Sequence, residues 1–182
     1  MGKKVLAIIG SPRKNGNTDA LIDVILSSAK DAGAETEKVY LIDCNIANCV
    51  ACGFCQKDES NTCVVKDDMY GLIEKMEEAD VWVFGTPVYW WGPTGLFKSF
   101  MDRWYGFNVD FKSKQIIVAY PQEDPDKEVG RHLRGMFEDA LDYKGVKAFA
   151  YIQAAGAANP GDIEKLTDVL EYAKQVGANC IK

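Results

Sequence analysis

Short unbroken apolar runs recur along the chain, and between them apolar residues return every three or four positions. The runs occupy residues 5–9 (Val-Leu-Ala-Ile-Ile), 81–84 (Val-Trp-Val-Phe), 115–119 and 146–152, with a more polar one at 38–42. Runs of this length bounded by turn residues read as strands buried on both faces. The helical stripes are Ala20, Leu21, Val24, Ile25 and Ala29; Met69, Leu72, Ile73 and Met76; Leu96, Phe97, Phe100, Met101 and Trp104; Val129, Leu133, Met136, Phe137, Ala140 and Leu141; and Ile163, Leu166, Val169, Leu170 and Ala173. Gly33 is placed to end the first helix, Asp67 or Asp68 to cap the second, and Pro93 to open the third.

Strand and helix thus alternate, which predicts an α/β fold: five parallel strands joined by right-handed crossovers, with helices on both faces. The 182 residues fit a single domain, residues 1–182, with no internal repeat or linker. In such sheets ligands bind beyond the carboxyl ends of the strands where strand order reverses. For the order 2-1-3-4-5 that point lies between strands one and three. The loops after those two strands are the unusual ones.

The first loop, residues 10–18, reads Gly-Ser-Pro-Arg-Lys-Asn-Gly-Asn-Thr. It has neither the Gly-x-Gly-x-x-Gly spacing of a dinucleotide site nor the lysine of a Walker A loop. What it offers is a turn through Asn15 and Gly16 into a helix start, where unpaired N–H groups and the helix dipole favour a phosphate. Ser11, Asn17 and Thr18 add hydrogen-bonding side chains, and Arg13 adds charge in a planar fork. A plain helix cap by Asn17 or Thr18 is the alternative. The second loop, residues 87–93, reads Pro-Val-Tyr-Trp-Trp-Gly-Pro. Its aromatic surface can lie on a flat ring such as a flavin, with backbone N–H groups from Val88 to Gly92 bonding the ring edge. Core packing or a subunit contact is the alternative, most readily for Trp91. The pair of loops reads as a site for a phosphorylated, planar cofactor.

A formal net charge of -6 argues against nucleic acid or an anionic membrane as partner, since both require clustered Lys and Arg. No stretch reaches the ~18 apolar residues of a membrane span, and too few follow Met1-Gly2-Lys3-Lys4 for a secretory signal, so the expected location is cytoplasmic. In a reducing compartment the six cysteines are not a disulfide framework. Four crowd together as Cys49-x2-Cys52-x2-Cys55-x7-Cys63. Overlapping C-x2-C steps fit an iron–sulfur cluster better than zinc, and a set of reduced thiols without metal is the alternative. Cys44 and Cys180 read as small hydrophobes. The single histidine, His132, reads as a surface residue, which leaves hydrolase mechanisms without support. Asp102-Arg103 reads as an ion pair, at the site or solvated, and Glu77-Glu78 and Glu123-Asp124 as solvated surface.

The 10–18 loop, the cysteine run continued by Asp67-Asp68-Met69, and the 85–93 segment followed by Lys98 and Asp102-Arg103 resemble the flavodoxin-like NAD(P)H-dependent FMN reductases and their relatives, the iron–sulfur flavoproteins. The resemblance is strong up to Tyr105 and one of overall pattern beyond Gly106. It implies a flavodoxin-like three-layer sandwich that binds FMN, in a homodimer or homotetramer with the flavin near a subunit interface. By this resemblance Ser11, Arg13, Asn17 and Thr18 hold the FMN phosphate, with Asn15 and Gly16 also in the cofactor site, and Pro87, Val88, Tyr89, Trp90 and Gly92 line the ring. In the iron–sulfur branch Cys49, Cys52, Cys55 and Cys63 bind a [4Fe-4S] cluster that exchanges electrons with FMN. That branch has a glycine-rich segment after strand four, where this chain reads Tyr-Pro-Gln-Glu-Asp-Pro-Asp over 120–126; Tyr120 and Gln122 are the candidates for a third wall. The implied activity is an oxidoreductase in which NAD(P)H reduces the flavin and a small-molecule or protein acceptor, such as a flavin or quinone, takes the electrons. An iron–sulfur electron carrier and a non-redox binding module of the same fold are the alternatives.

Overall fold

The computed structural model describes residues 2–57 and 62–182, so 58–61 of the cysteine segment lie outside the description. Strands β1 (Lys4–Ile9), β2 (Glu35–Tyr40), β3 (Val81–Gly85), β4 (Gln115–Gln122) and β5 (Ala150–Ala155) form one parallel sheet in the order β2-β1-β3-β4-β5. Helices α1 (Asn17–Asp31), α2 (Met69–Glu78), α3 (Gly95–Asp102), α4 (Arg131–Tyr143) and α5 (Thr167–Asn179) alternate with them. This is the α/β sandwich that the apolar pattern predicts, in the strand order of the flavodoxin-like fold that the resemblance implies.

The central strands are apolar throughout because each has a neighbour on both sides and helices on both faces. Their residues divide by parity. Leu6, Ile8, Trp82, Phe84, Ile116 and Val118 pack with α2, α3 and α4, whereas Val5, Ala7, Ile9, Val81, Val83 and Ile117 pack with α1 and α5. Phe84 anchors the first layer, with the rings of Phe97, Phe100, Trp104 and Phe137 centred 5.4 to 6.3 Å away. Among the described residues no helix is long and apolar enough to cross a membrane.

The differences from expectation fall at the sheet edges and helix starts. β2 is Glu35–Tyr40 instead of 38–42, because an edge strand pairing with β1 alone tolerates Glu35, Thr36 and Glu37 and leaves no apolar run. β5, the opposite edge, is Ala150–Ala155 instead of 146–152; Val146 and Ala148 pack on the core before the ladder begins. β4 continues past 119 to Gln122, where Pro121 and Gln122 pair with Ala154 and Ala155. Pro93 does not open α3: Thr94 caps it, its hydroxyl accepting the Phe97 N–H at 3.2 Å. At the start of α2 Asp68 makes no side-chain cap bond, and Asp67 Oδ1 accepts the Met69 N–H at 3.1 Å.

α5 crosses α1 at Gly177, where an added Cβ would lie 2.3 Å from the Ile25 carbonyl oxygen. Gly177→Ala is therefore expected to cost about 1–3 kcal/mol through overpacking. Gly135 on α4 has nothing within 4 Å of the same position, so Gly135→Ala should add about 0.5–1 kcal/mol. Urea unfolding midpoints measured side by side test both signs.

Candidate functional site

β1 and β3 are neighbours at the middle of the sheet, and the chain leaves both at the same carboxyl edge. The Gly10 N–H donates to the Gly85 carbonyl at 2.7 Å, so the two loops begin in contact. Thr94 joins them again: its hydroxyl donates to the Gly10 carbonyl at 2.6 Å, and its N–H donates to Thr86 Oγ1 at 3.1 Å. A Cβ on Gly10 would lie 2.7 Å from the Cβ of Phe97, so glycine is what lets α3 pack this close. Thr86 and Thr94 were absent from the sequence-based site because their role exists only once β1 and β3 lie side by side.

Ser11, Arg13, Gly16, Asn17 and Thr18 line one cavity of about 170 Å³ together with Pro87, Val88 and Tyr89. α1 begins with Gly16 in the cap position and no side-chain cap bond, which leaves the N–H groups of its first turn without helical partners. Thr18 is 3% exposed and lines this cavity. A buried, uncapped helix start is a place for an anion. Arg13 stands exposed at the rim. The Ser11 hydroxyl is turned onto the loop itself, accepting the Arg13 N–H at 3.1 Å and donating to the Arg13 carbonyl at 3.2 Å. The Asn17 side chain braces the loop after β5: its amide donates to the carbonyls of Ala157 at 3.1 Å and Asn159 at 2.8 Å, and accepts the Ile163 N–H at 3.3 Å.

Asp19, which the sequence-based site lacked, anchors the same loop. It is 1% exposed and accepts from the Asn15 N–H at 2.8 Å, the Lys38 ammonium at 2.9 Å and the Tyr40 hydroxyl at 2.9 Å. Asn15 is thereby held at φ +58, in the left-handed region. Burial pushes the Asp19 carboxyl pKa up, but the Lys38 ammonium, the Asn15 N–H and the Tyr40 hydroxyl outweigh it and hold the group below its ordinary range. The available signal was an acid in the first turn of a helix.

The second loop is a two-residue hairpin turn. The Tyr89 N–H donates to the Gly92 carbonyl at 2.8 Å, and the Gly92 N–H donates back to Tyr89 at 3.0 Å. Trp90 and Trp91 are its central residues, at φ +47 and +61, where such turns favour Asn-Gly. Trp90 is 91% exposed, so burial does not offset its backbone strain. Not all of the expected ring-facing donors are free. The Val88 N–H is taken by the Pro121 carbonyl at 2.9 Å, and Tyr89 and Gly92 are taken by each other. Trp90 and Trp91 border an open cleft of about 620 Å³. This cleft shares Val88, Gln122, Glu123 and Ala158 with the first cavity, so one groove runs from the helix start to the tryptophans.

The third wall of the groove comes from the end of β4 and the loop after β5: Pro121, Gln122 and Glu123 with Ala157, Ala158 and Pro160. Gln122 belongs to it, although its amide is engaged within the protein, donating to the carbonyls of Asp124 at 2.8 Å and Asp126 at 2.7 Å. Tyr120, the other candidate, faces the core instead and is 1% exposed. Glu123 and Asp124, expected as plain surface, border the groove. Ala157, Ala158 and Pro160 have no chemical signature in the sequence and arrive through topology alone.

Cys49, Cys52, Cys55 and Cys63 line a separate cavity of about 390 Å³, shared with Arg103, Tyr105 and Gly106. All four are free thiols. Among the described residues no three His, Cys, Asp or Glu side chains converge closely enough to hold one metal ion. A multi-iron cluster spreads its thiolate ligands over a larger body than a single ion with ligands ~2.3 Å away. The four thiols border one cavity, as the ligands of a single group must. Asp102 and Arg103 do not pair with each other. Asp102 meets Lys98 at the surface, while Arg103, 1% exposed, meets Asp67 at 2.7 Å. Cys180 is fully buried, Cys44 is partly buried, and burial pushes both thiols up. His132 is exposed.

Residues 3–157 match the family model described as NADPH-dependent FMN reductase. An iron–sulfur flavoprotein of Archaeoglobus fulgidus is 32% identical over 179 residues, covering 96% of this chain and 77% of that one. YwqN of Bacillus subtilis, named as an NAD(P)H-dependent FMN-containing oxidoreductase, is 28% identical over 182 residues and covers 95% and 96%. The chain spans about half the length of other iron–sulfur flavoproteins that it matches. Among solved structures, NAD(P)H:quinone oxidoreductase from Methanothermobacter marburgensis superposes with a TM-score of 0.78 at 19% identity, covering 98% and 99%, a likeness of fold.

The folded pKa of Asp19 lies below the unfolded value of about 3.9. Its contribution to stability is thus fully present above that pH and is lost as pH falls through the folded value. Asp19→Asn is expected to cost about 1.5–3 kcal/mol at neutral pH, with the gap to the native protein closing on acidification below about pH 4. A gap that stays constant in acid urea titrations would contradict this. Replacing Trp90 and Trp91 by Asn and Gly should raise the thermal midpoint of the ligand-free protein, because unstrained turn residues replace strained ones. A lowered midpoint would mean that the tryptophans make stabilising contacts.

Proposed function

This chain belongs to the NADPH-dependent FMN reductase family, and we propose that, as an FMN-dependent oxidoreductase taking electrons from NAD(P)H, it acts as one domain that seats its flavin in the groove between the 10–18 and 87–93 loops. The observation that carries this reading is the buried, uncapped start of α1, which opens onto the same groove as the Trp90–Trp91 turn. The N–H groups of Asn17 and Thr18, the Thr18 hydroxyl and the Arg13 guanidinium hold the phosphate, and the helix dipole meets its charge without a metal ion. Ser11, Asn15 and Gly16 shape the approach, and the Asn17 side chain fixes the opposite wall. Pro87, Val88, Tyr89, Trp90 and Gly92 border the ring. When bound, FMN supplies the redox chemistry, accepting hydride from NAD(P)H and delivering electrons to a flavin, quinone or other acceptor. The protein residues position and desolvate, and the reaction asks no side chain to act as acid or base. The exposure of Trp90 supports a homodimer or homotetramer in which a neighbouring subunit covers the groove.

A second reading is favoured by the cysteine cavity. Four thiols around one space support a [4Fe-4S] cluster at Cys49, Cys52, Cys55 and Cys63, in keeping with relatives named iron–sulfur flavoproteins. Such a group, when bound, supplies single-electron exchange. The chain would then carry electrons between its flavin and a protein partner.

Arg13→Ala combined with Thr18→Ala is expected to weaken FMN binding by at least about 100-fold, since each charge-assisted bond contributes about 1.5–3 kcal/mol. A fluorescence titration with unchanged affinity would rule out this phosphate site. Anaerobic addition of NADH or NADPH should bleach the flavin absorbance of the native protein. If neither does, direct reduction by nicotinamide is wrong and the carrier reading takes its place.

A further inference from the structure

The four-cysteine run sits on a loop whose two ends meet at one buried side chain. Arg103 donates from Nη1 to the Ala47 carbonyl at 2.9 Å and to Asp67 Oδ2 at 2.7 Å. From Nη2 it donates to the Val65 carbonyl at 3.1 Å and to Asp67 Oδ1 at 3.2 Å. Ala47 precedes Cys49 and Val65 follows Cys63, so one guanidinium closes the loop at its neck. Asp67 strengthens the closure, because its Oδ2 also accepts the Ala47 N–H at 2.9 Å. The planar fork of arginine is what allows both ends and the carboxylate to be gripped together.

One N–H of this guanidinium is left over. Arg103 is 1% exposed, and its Nε has no hydrogen-bond partner among the described residues. Folded proteins rarely leave a buried donor in that state, and a ligand is one of the usual reasons. Arg103 borders the cavity that the four thiols share, with Cys63 in the same lining. Gly106 lets the cysteine loop approach the segment that carries Arg103: a Cβ there would lie 3.0 Å from that of Cys63 and 3.7 Å from that of Cys55.

We propose that Arg103 is the positioning residue of the cysteine site, fixing the neck of the loop with four N–H groups and directing the fifth, Nε–H, at the sulfur carried by Cys63. The proposal rests on the reading in which the four thiols hold a [4Fe-4S] cluster, and it adds the residue that orders the ligands and tunes them. A hydrogen bond from a cation to a ligand sulfur favours the more negatively charged state of the site, which shifts its reduction potential upward. Lysine at this position keeps a charge beside Asp67 but lacks both the fork and the Nε–H. The double variant Arg103→Gln with Asp67→Asn removes both charges together, so neither is left buried and alone.

The native protein, Arg103→Lys and the double variant are to be reconstituted anaerobically with ferrous iron and sulfide. They are then compared for iron and acid-labile sulfide per chain, retention against a chelator, cluster potential and FMN affinity. Both variants are expected to bind FMN within about twofold of the native protein yet to hold iron at least about tenfold more weakly, the scale of lost outer-shell support. Arg103→Lys should also show a more negative potential. Variants that match the native protein in retention and potential overturn the role of Arg103 and leave the cluster reading intact. A native protein that binds FMN but takes up neither iron nor sulfide overturns the cluster reading, and this proposal with it. Loss of FMN together with iron in both variants marks a general collapse of the fold and refutes a positioning role.

Discussion

The hydroxyl of Thr94 caps α3 and at the same time donates to the Gly10 carbonyl, which ties the loop after β3 to the loop after β1. Two loops that leave neighbouring strands can diverge, since loops are the least stabilised parts of a fold. Here they cannot, because the Gly10–Gly85 and Thr94–Gly10 bonds fix the spacing between a helix start and a turn of tryptophans, while the Thr94–Thr86 bond folds the second loop onto itself. Gly10 completes the joint by having no Cβ to meet Phe97. The groove exists because these contacts close, and each is set by packing beneath it, where Phe84 and Phe97 meet edge to face at 5.6 Å.

Two buried carboxylates extend the same logic outward. Asp19 holds the 10–18 loop through Lys38, Tyr40 and the Asn15 N–H, and Asp67 holds the cysteine loop through Arg103 and the Ala47 N–H. A buried ion pair is weak evidence of added stability, because desolvation offsets much of the attraction. What each pair provides is a single arrangement for a loop that has little apolar surface to bury. The Trp90–Trp91 turn stands at the other extreme, carrying backbone strain with little burial, a pattern found where structure serves a ligand or partner.

The sheet was legible because β1, β3 and β4 are buried on both faces and so are written in Val, Ile, Phe and Trp. Its edges were less so: Glu35, Thr36 and Glu37 pair with β1 through backbone and, at Glu37, an ion pair with Lys4, and leave no apolar trace. Within the groove, the residues with distinctive chemistry stood out as a cluster, while those that act through shape or through long-range partners did not. Asn17 illustrates the limit. An amide at a helix start reads as a ligand or cap, yet its side chain reaches Ala157 and Asn159 across the groove, a contact that only the closed sheet creates. Arg103 likewise resembles one half of a local pair with Asp102 until the fold brings Asp67 to it.

The central claim is that the start of α1 holds a phosphate while the neighbouring turn holds the ring attached to it. Parallel titrations of the purified protein with FMN and with riboflavin, which differ only by that phosphate, test it most directly. The account predicts that FMN binds at least about 100-fold more tightly, because charge-assisted bonds of about 1.5–3 kcal/mol each act on the phosphate alone. Equal affinity for the two would contradict it.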